Sequence, residues 1–549
     1  MEKEWWRKSV VYQIYPQSFQ DSNGDGFGDL NGIRCRLPYL AHLGIDLIWI
    51  CPIFQSPMVD NGYDISDYCR VEPRFGTNED LYALIQEASA YGIRLILDLV
   101  INHCSDQHPW FRKAVAEPES PEAAYFYFRR TDDGLAPNNW RSNFGGSTWS
   151  QLPDGRWYYH TFAPQQPDLN WENPELRGRL YDMVNWWLEQ GIAGFRIDAI
   201  TFIKKDLTFA SRSMPDGTLY PVEHFENYPG IGKFLNELKQ ACFDRHHCVT
   251  IAEAPGVGLS DVGDYCGTNG YFSMIFDFEW LDMPGKTRKS SIEAIEKWKK
   301  QMLTSQLAIS QNGWSGVCLE NHDQPRCANK FLDAEDVSET SLSALAALYM
   351  FMYGTPFIYQ GQELGMTNAK WTSIDQFQDV SAHTLWHEEM EKGVPAQTVL
   401  QHLNEYGRDN ARTPFQWDST EHAGFTDGTP WLRVNDRYPA VNAAEQLARE
   451  DSLLHYYREL IALRKNPDYA DVFAYGTFCP ILMDYTGVIG YERSYRGTCI
   501  FVMVNLSHET KHIAYRASKR LFTNIPDNIL SIDEITLIPY QAVVGIGDR

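Results

Sequence analysis

The sequence predicts an α/β protein, a (β/α)8 barrel of the TIM type with an inserted domain after its third strand and a C-terminal antiparallel β-domain. Three observations predict it. Eight apolar, β-branched runs alternate with segments of helical period, and eight is the number at which a parallel sheet covered by helices closes on itself. Between the third and fourth runs the rhythm breaks over residues 104–170, a stretch rich in Pro, Asn, Trp and Tyr. Beyond residue 472 the texture changes to short alternating runs (VIGYERS, TCIFVMVNLS, QAVVGIG), the pattern of antiparallel strands.

In chain order, the first strand is read at 10–19 (VVYQIYPQSF), followed by a helical segment over 30–43 and a second strand at 45–54 (IDLIWICPIF). The helix that opens near Asn78 carries Glu79 and Asp80 in its first turn, Leu81, Leu84, Ile85 and Ala88 on one face, and Gly92 as its stop. Strand three follows at 93–103 (IRLILDLVINH). After the insert, Asn173 caps a helix with Pro174 at its first position and Leu176, Leu180, Val184 and Trp187 on one face. Strands four to eight are read at 191–200, 248–254, 272–278, 316–323 and 355–364. A long polar excursion covers 365–439, and an amphipathic helix lies near 453–463. The barrel thus occupies 1–103 and 171–471, the insert 104–170, and the β-domain 472–549.

Composition narrows the function. A net charge of −24 argues against nucleic acid and anionic membranes as partners, and points to a neutral, soluble one. Aromatic residues make up 14% of the chain, most of them needed for a large core, with the remainder suited to stacking sugar rings. No run approaches the roughly 20 apolar residues of a membrane span. The start, MEKEWWRKSV, has no apolar stretch behind its charges, so no signal peptide is read. Eleven cysteines without CxxC pairs suit a reducing cytoplasm better than a disulfide framework.

Directly after the first strand, DSNGDGFGD sets oxygen donors at alternate positions: Asp21, Asn23, Asp25, the Phe27 carbonyl and Asp29. This is the first half of a calcium-loop pattern. Its twelfth position is Gly32 rather than glutamate, so it is not a true EF-hand. A structural calcium or magnesium ion is expected there, the alternative being a solvated acidic turn.

The chemistry gathers at the C-terminal ends of the strands, where a barrel of this kind builds its site. Arg196 and Asp198 lie two apart in GIAGFRIDAI and so share a strand face. The guanidinium favours the ionised acid, which suits a nucleophile. Asp98 and His103 close strand three, Glu253 strand five, and His322 and Asp323 strand seven. So many acids at one mouth have no structural explanation, because each buried charge needs a partner.

The motifs DLVINH (98–103), GFRIDAI (194–200), IAEA (251–254) and ENHDQPR (320–326) resemble those of the α-amylase superfamily, glycoside hydrolase family 13. QPDLN (166–170) and RDNARTPFQW (408–417) are similar to signatures of its oligo-1,6-glucosidase and α-glucosidase subgroup. The resemblance runs over essentially the whole chain. It implies that Asp198 is the nucleophile, Glu253 the general acid and base, and Asp323 the third carboxylate. The first two should lie about 5–5.5 Å apart, and Glu253 should be raised toward neutrality by burial and its acidic neighbours. Tyr63 and Phe162 would pack on the glucose ring, and His103 and His322 would bond its hydroxyls. Asp60 would pair with Arg412 to close the pocket behind one glucose.

The implied substrate is a small oligosaccharide, the chain being read as a monomer or small homo-oligomer. Linkage preference stays open, since Ala199 resembles α-1,4-cleaving relatives and Pro255 the α-1,6 group. Transglucosylation, sucrose isomerisation, and hydrolysis of sucrose or trehalose 6-phosphate remain alternatives. Lys204 and Lys205 are read as an exposed helix start rather than a phosphate grip.

Overall fold

The computed structural model describes residues 4–214, 218–281, 288–526 and 533–548. Eight parallel strands close the barrel: β1 (Val11–Ile14), β2 (Leu47–Ile50), β3 (Arg94–Val100), β4 (Gly194–Asp198), β5 (Val249–Ala252), β6 (Met274–Phe276), β7 (Ser315–Val317) and β8 (Gly354–Tyr359). Each pairs with its chain neighbour, and β1 with β8 closes the ring. Each strand lies inside a run expected from the sequence or within one residue of it, but the strands are shorter than the runs. Where strand seven was expected over 316–323, the sheet ends at Val317, and the residues beyond it leave the barrel wall to build its mouth.

The period of two divides most of the strands between two cores. Val11, Leu47, Trp49, Ile96, Val249 and Ile251 fill the barrel interior. Tyr12, Ile48, Leu95, Leu97 and Ile197 face the surrounding helices. Helix α1 (Asn78–Ala90) is held by a capping box, with Thr77 rather than Asn78 as the cap and Asp80 closing it. Helix α2 (Pro174–Glu189) is capped by Asn173 and buries Leu176, Leu180, Val184 and Trp187. Helices α3 (Ile292–Asn312) and α4 (Glu339–Met350) follow; α4, buried on nearly every face, packs against both the barrel and the C-terminal sheet.

The excursion at 365–439 is more ordered than its polar sequence suggests. It contains α5 (Val380–Glu391), a second helix over Ala396–Tyr406 and the single turn Asp409–Arg412. Helix α5 buries only Ala382, so it has no apolar stripe for a sequence reading to find. Helix α6 (Leu453–Lys465) then returns to the barrel.

Within the insert, a three-stranded antiparallel sheet joins Phe128–Arg129, Trp157–Tyr159 and Trp149–Gln151. Its aromatic core of Tyr127, Trp140, Trp149 and Tyr159 extends onto Phe202, Phe209 and Phe225, which come from the loop after β4. The C-terminal domain is a five-stranded antiparallel sheet with an accompanying two-stranded ribbon. Arg493 fixes it to the barrel by donating to the carbonyls of Phe351 and Met352. Among the described residues no helix is long and apolar enough to cross a membrane.

Candidate active site

Sheet register places the first charges. In the parallel pairing of β4 with β3, Arg196 stands beside Asp98, so both side chains leave the sheet on the same face. The guanidinium of Arg196, fully enclosed, donates to Asp98 (2.8 Å) and Asp198 (2.6 Å) and pairs with Glu253 (2.9 Å). A side chain at the centre of β4 therefore organises the carboxyl groups of three successive strands. Burial pushes the Asp98 and Asp198 carboxyls up, and Arg196 opposes it.

Glu253 is further fixed by the backbone. Its second oxygen accepts the Ala199 N–H at 2.9 Å, and Ala199 sits in the left-handed region at φ +43°. An alanine there carries roughly 1–2 kcal/mol of strain, held in place by the turn from β4 into the following short helix. The residue after Asp198 thus aims an N–H at Glu253, a role that sequence reading did not foresee.

A second charge cluster faces the first. Asp323 pairs with Arg412 (2.8 Å), Arg408 (3.1 Å) and His322 (3.0 Å). Despite burial, these partners hold its carboxyl well below the usual range. Burial alone would lower His322, but Asp323 outweighs it and lifts the imidazole to about 10, so the pair is ionised. Tyr63 stacks on His322 at 5.5 Å and donates its hydroxyl to Asp98 (3.1 Å), linking the two clusters. Burial lowers His103 to about 4, leaving it neutral beside Gln166 and Phe162.

The expected Asp60–Arg412 pair is not formed. Asp60 instead accepts from Arg408 (3.3 Å) and Gln166 (3.0 Å), while Arg412 lies deeper, donating to the His322 carbonyl and to Asp323. The physical reason is the one-turn helix Asp409–Arg412: residues four apart project on one side, so both arginines of RDNAR reach the mouth and Arg408 takes the outer place. Arg408 also grips Asp379 at the start of α5 (2.5 Å).

Together these groups enclose a cavity of about 180 Å3. Asp198, Glu253 and Asp323 line it with Asp60, Tyr63, His103 and Phe162, and Phe144, Ala199 and Arg408 complete the wall. Asp98, Arg196, His322 and Arg412 form the layer beneath. The volume is below the roughly 300 Å3 at which sites for larger ligands begin, which suits one sugar ring.

Two further expectations meet the structure here. Lys205 is not exposed but buried, paired with Asp168 and donating to Asn102 (2.9 Å), and Lys204 pairs with Glu172. In the loop after β1, Asp21, Asn23 and Asp25 each accept the N–H two residues on, at 2.8, 2.9 and 2.9 Å. Each of these is an Asx turn, so the three side chains wind the loop tightly on its own backbone. Asp29 caps the helix Leu30–Cys35 by accepting from Gly32, and Asp21 also takes Thr426 of the excursion. Among the described residues no group of three or more His, Cys, Asp or Glu is set to hold a metal, so any ion would rely on amide and carbonyl oxygens as well.

Comparison with known proteins agrees with this geometry. The α-amylase catalytic-domain profile matches residues 13–472. An oligo-1,6-glucosidase of Halalkalibacterium halodurans is 42% identical over 517 residues, covering 92% of this chain and 91% of the relative. One from Bacillus cereus is 39% identical over 558 residues, 99% of each. Among solved structures, an isomaltulose synthase from Erwinia rhapontici superposes with a TM-score of 0.93 at 36% identity, covering 99% of each chain. A trehalose-6-phosphate hydrolase of Bacillus licheniformis gives 0.91 at 36%, covering 99% of this chain and all of the other. The chain belongs to the α-amylase family of glycoside hydrolases, family 13.

Proposed function

We propose that this protein is a retaining, exo-acting α-glucosidase that releases the terminal glucose of short α-1,6- and α-1,4-linked oligosaccharides. The observation that carries the reading is a single buried guanidinium, Arg196, bonded to both Asp198 and Glu253 at the floor of a cavity of single-ring size. A shared cation keeps two carboxyl groups close, as a retaining pair at about 5–5.5 Å requires.

In this reading Asp198 attacks the anomeric carbon while Glu253 gives its proton to the departing glycosidic oxygen. A covalent glucosyl ester forms on Asp198, and the shortened sugar leaves as an alcohol. Glu253, now a carboxylate, takes a proton from water as the water oxygen attacks the same carbon, releasing glucose with its α configuration and restoring both groups. Asp323, kept ionised by His322, Arg408 and Arg412, accepts hydrogen bonds from ring hydroxyls and favours the positively charged transition state. Asp60 and Arg408 wall the pocket behind the ring, so only chain ends enter.

The named relatives support α-1,6 bonds, and the pairing of Lys204 and Lys205 with carboxylates weighs against a phosphorylated substrate. A panel of isomaltose, maltose, sucrose, trehalose 6-phosphate and soluble starch, scored as kcat/KM, tests the proposal. Isomaltose should lead, with glucose as the first product. Internal cutting of starch, or trehalose 6-phosphate as the best substrate, would overturn it.

A structural cation in the loop of Asp21, Asn23, Asp25, Phe27 and Asp29 forms part of the proposal. It would bind the loop after β1 to the excursion, where Thr426 and Trp431 already meet it. It supplies charge neutralisation for stability and takes no part in the chemistry.

A further inference from the structure

We infer that Glu388 is a specificity-determining positioning residue: from α5 it clamps the 141–147 loop of the inserted domain and fixes Phe144 as the outer wall of the cavity, setting the length of oligosaccharide accepted. The inference rests on the exo-glucosidase reading. Arg141 and Ser147 pair across the base of this loop, making it a tight hairpin. Asn143 N–H donates to the Thr161 carbonyl and Ser142 Oγ to the Phe162 carbonyl, so the hairpin is anchored on the inserted domain.

Across the mouth, two bonds from the loop converge on one carboxylate. Arg141 Nη2 meets Glu388 Oε2 at 2.5 Å, and the Gly146 N–H donates to Glu388 Oε1 at 3.0 Å. The left-handed backbone between them favours glycine, and the approach to α5 is close. Gly145 has φ +96°, and a Cβ there would lie 2.5 Å from Glu388 Oε1 and 2.8 Å from a methyl of Thr384.

Phe144 lies in the middle of this clamped segment. Its ring packs on Phe162 (5.4 Å) and under the guanidinium of Arg408 (5.0 Å), and it lines the cavity. Helix α5 therefore fixes the wall from two points. Its cap, Asp379, holds Arg408, and two turns later Glu388 holds the loop that lays Phe144 under Arg408. Without the carboxylate, Arg141 and Gly146 lose their partner on α5, and Phe144 keeps only its ties to the inserted domain and its contact with Arg408. The wall that Phe144 forms with Arg408 would then loosen, and the cavity would open there to a longer chain.

The test measures kcat/KM on α-linked glucose oligomers of increasing length for wild type, Glu388→Ala, Glu388→Gln and Arg141→Ala. Glu388→Ala should raise the ratio of long to disaccharide substrate by about fivefold, the scale of one partly exposed charged pair. Glu388→Gln, which keeps an acceptor for Gly146, and Arg141→Ala should each give a smaller shift in the same direction. A uniform fall at all lengths, or an unchanged ratio, overturns the inference. If wild type hydrolyses no α-glucoside, the exo-glucosidase reading fails separately. Hydrogen exchange then decides the clamp, which predicts faster exchange over 141–147 in Glu388→Ala and is refuted by unchanged exchange.

Discussion

Breaking the contact between Asp60 and Arg408 should cost far more than the loss of a surface ion pair. The two side chains are only 6% and 16% exposed, and their charged atoms lie 3.3 Å apart. At an effective dielectric of about 20, unit charges roughly 4 Å apart attract by about 4 kcal/mol before desolvation is counted. Arg408→Ala also strips a partner from Asp323 and Asp379, and removing one member of such a buried group costs about 3–5 kcal/mol. The fall in kcat/KM on an aryl α-glucoside should accordingly be two to three powers of ten or more, at about 1.4 kcal/mol per power. The assay is a pair of double-mutant cycles, Asp60→Asn with Arg408→Ala and Asp60→Asn with Arg412→Ala, with thermal melting to confirm folding. Coupling of about 1–3 kcal/mol is expected with Arg408, and distinctly less with Arg412, which Asp60 does not contact. Coupling to Arg412 equal to or above that to Arg408 would refute this arrangement of the pocket wall.

Chelation should lower the melting temperature while leaving kcat at moderate temperature nearly unchanged, because the loop of Asp21 and Asp25 lies away from the cavity; an identical melting curve in excess chelator, with no metal by elemental analysis, removes the proposed ion. Glu253→Gln should depress hydrolysis of substrates with poor leaving groups by about 100-fold or more, and of activated aryl glucosides much less, since only the former need a proton donor. Equal losses on both would deny Glu253 that role. Glu363, enclosed between Tyr12 and Tyr39, is raised by burial to about 7 even though both hydroxyls donate to it. The folded state then keeps a proton that the unfolded chain loses, so this contribution is full below about pH 4.5 and is lost as pH rises to 7, a span worth roughly 3 kcal/mol. Glu363→Gln should flatten that slope in denaturant unfolding, and parallel pH curves for the two proteins would contradict it.

The sequence carried the fold wherever a period was strong. Strands buried on both faces, such as β3 and β4, show as unbroken apolar runs, and the charges Asp98, Arg196 and Asp198 stand out against them. The paired orientation of Arg196 and Asp198 follows from a spacing of two. Orientation was not legible where two like residues share one turn, and RDNAR gave no local sign that Arg408 rather than Arg412 would reach Asp60. Lys205 illustrates another limit. Two consecutive lysines look solvated, and only the folded chain, which places Asp168 of the insert and Asn102 of the barrel beside one of them, shows that it is buried. Phe144, Gln166 and Asp379 were missed for a related reason. They lie in irregular segments or on a helix without an apolar face, and their partners are distant in sequence.

If Asp198 forms the covalent bond to glucose, as proposed, that bond can be trapped. A fluorinated α-glucosyl fluoride, whose electron-poor ring slows breakdown of the ester, should inactivate the protein in a time-dependent way. Peptide mass spectrometry should then find one glucosyl label, on Asp198 in the segment GFRIDAI. Label on another carboxylate, or steady turnover of the reagent with no covalent adduct at any time point, would contradict the role of Asp198 as nucleophile.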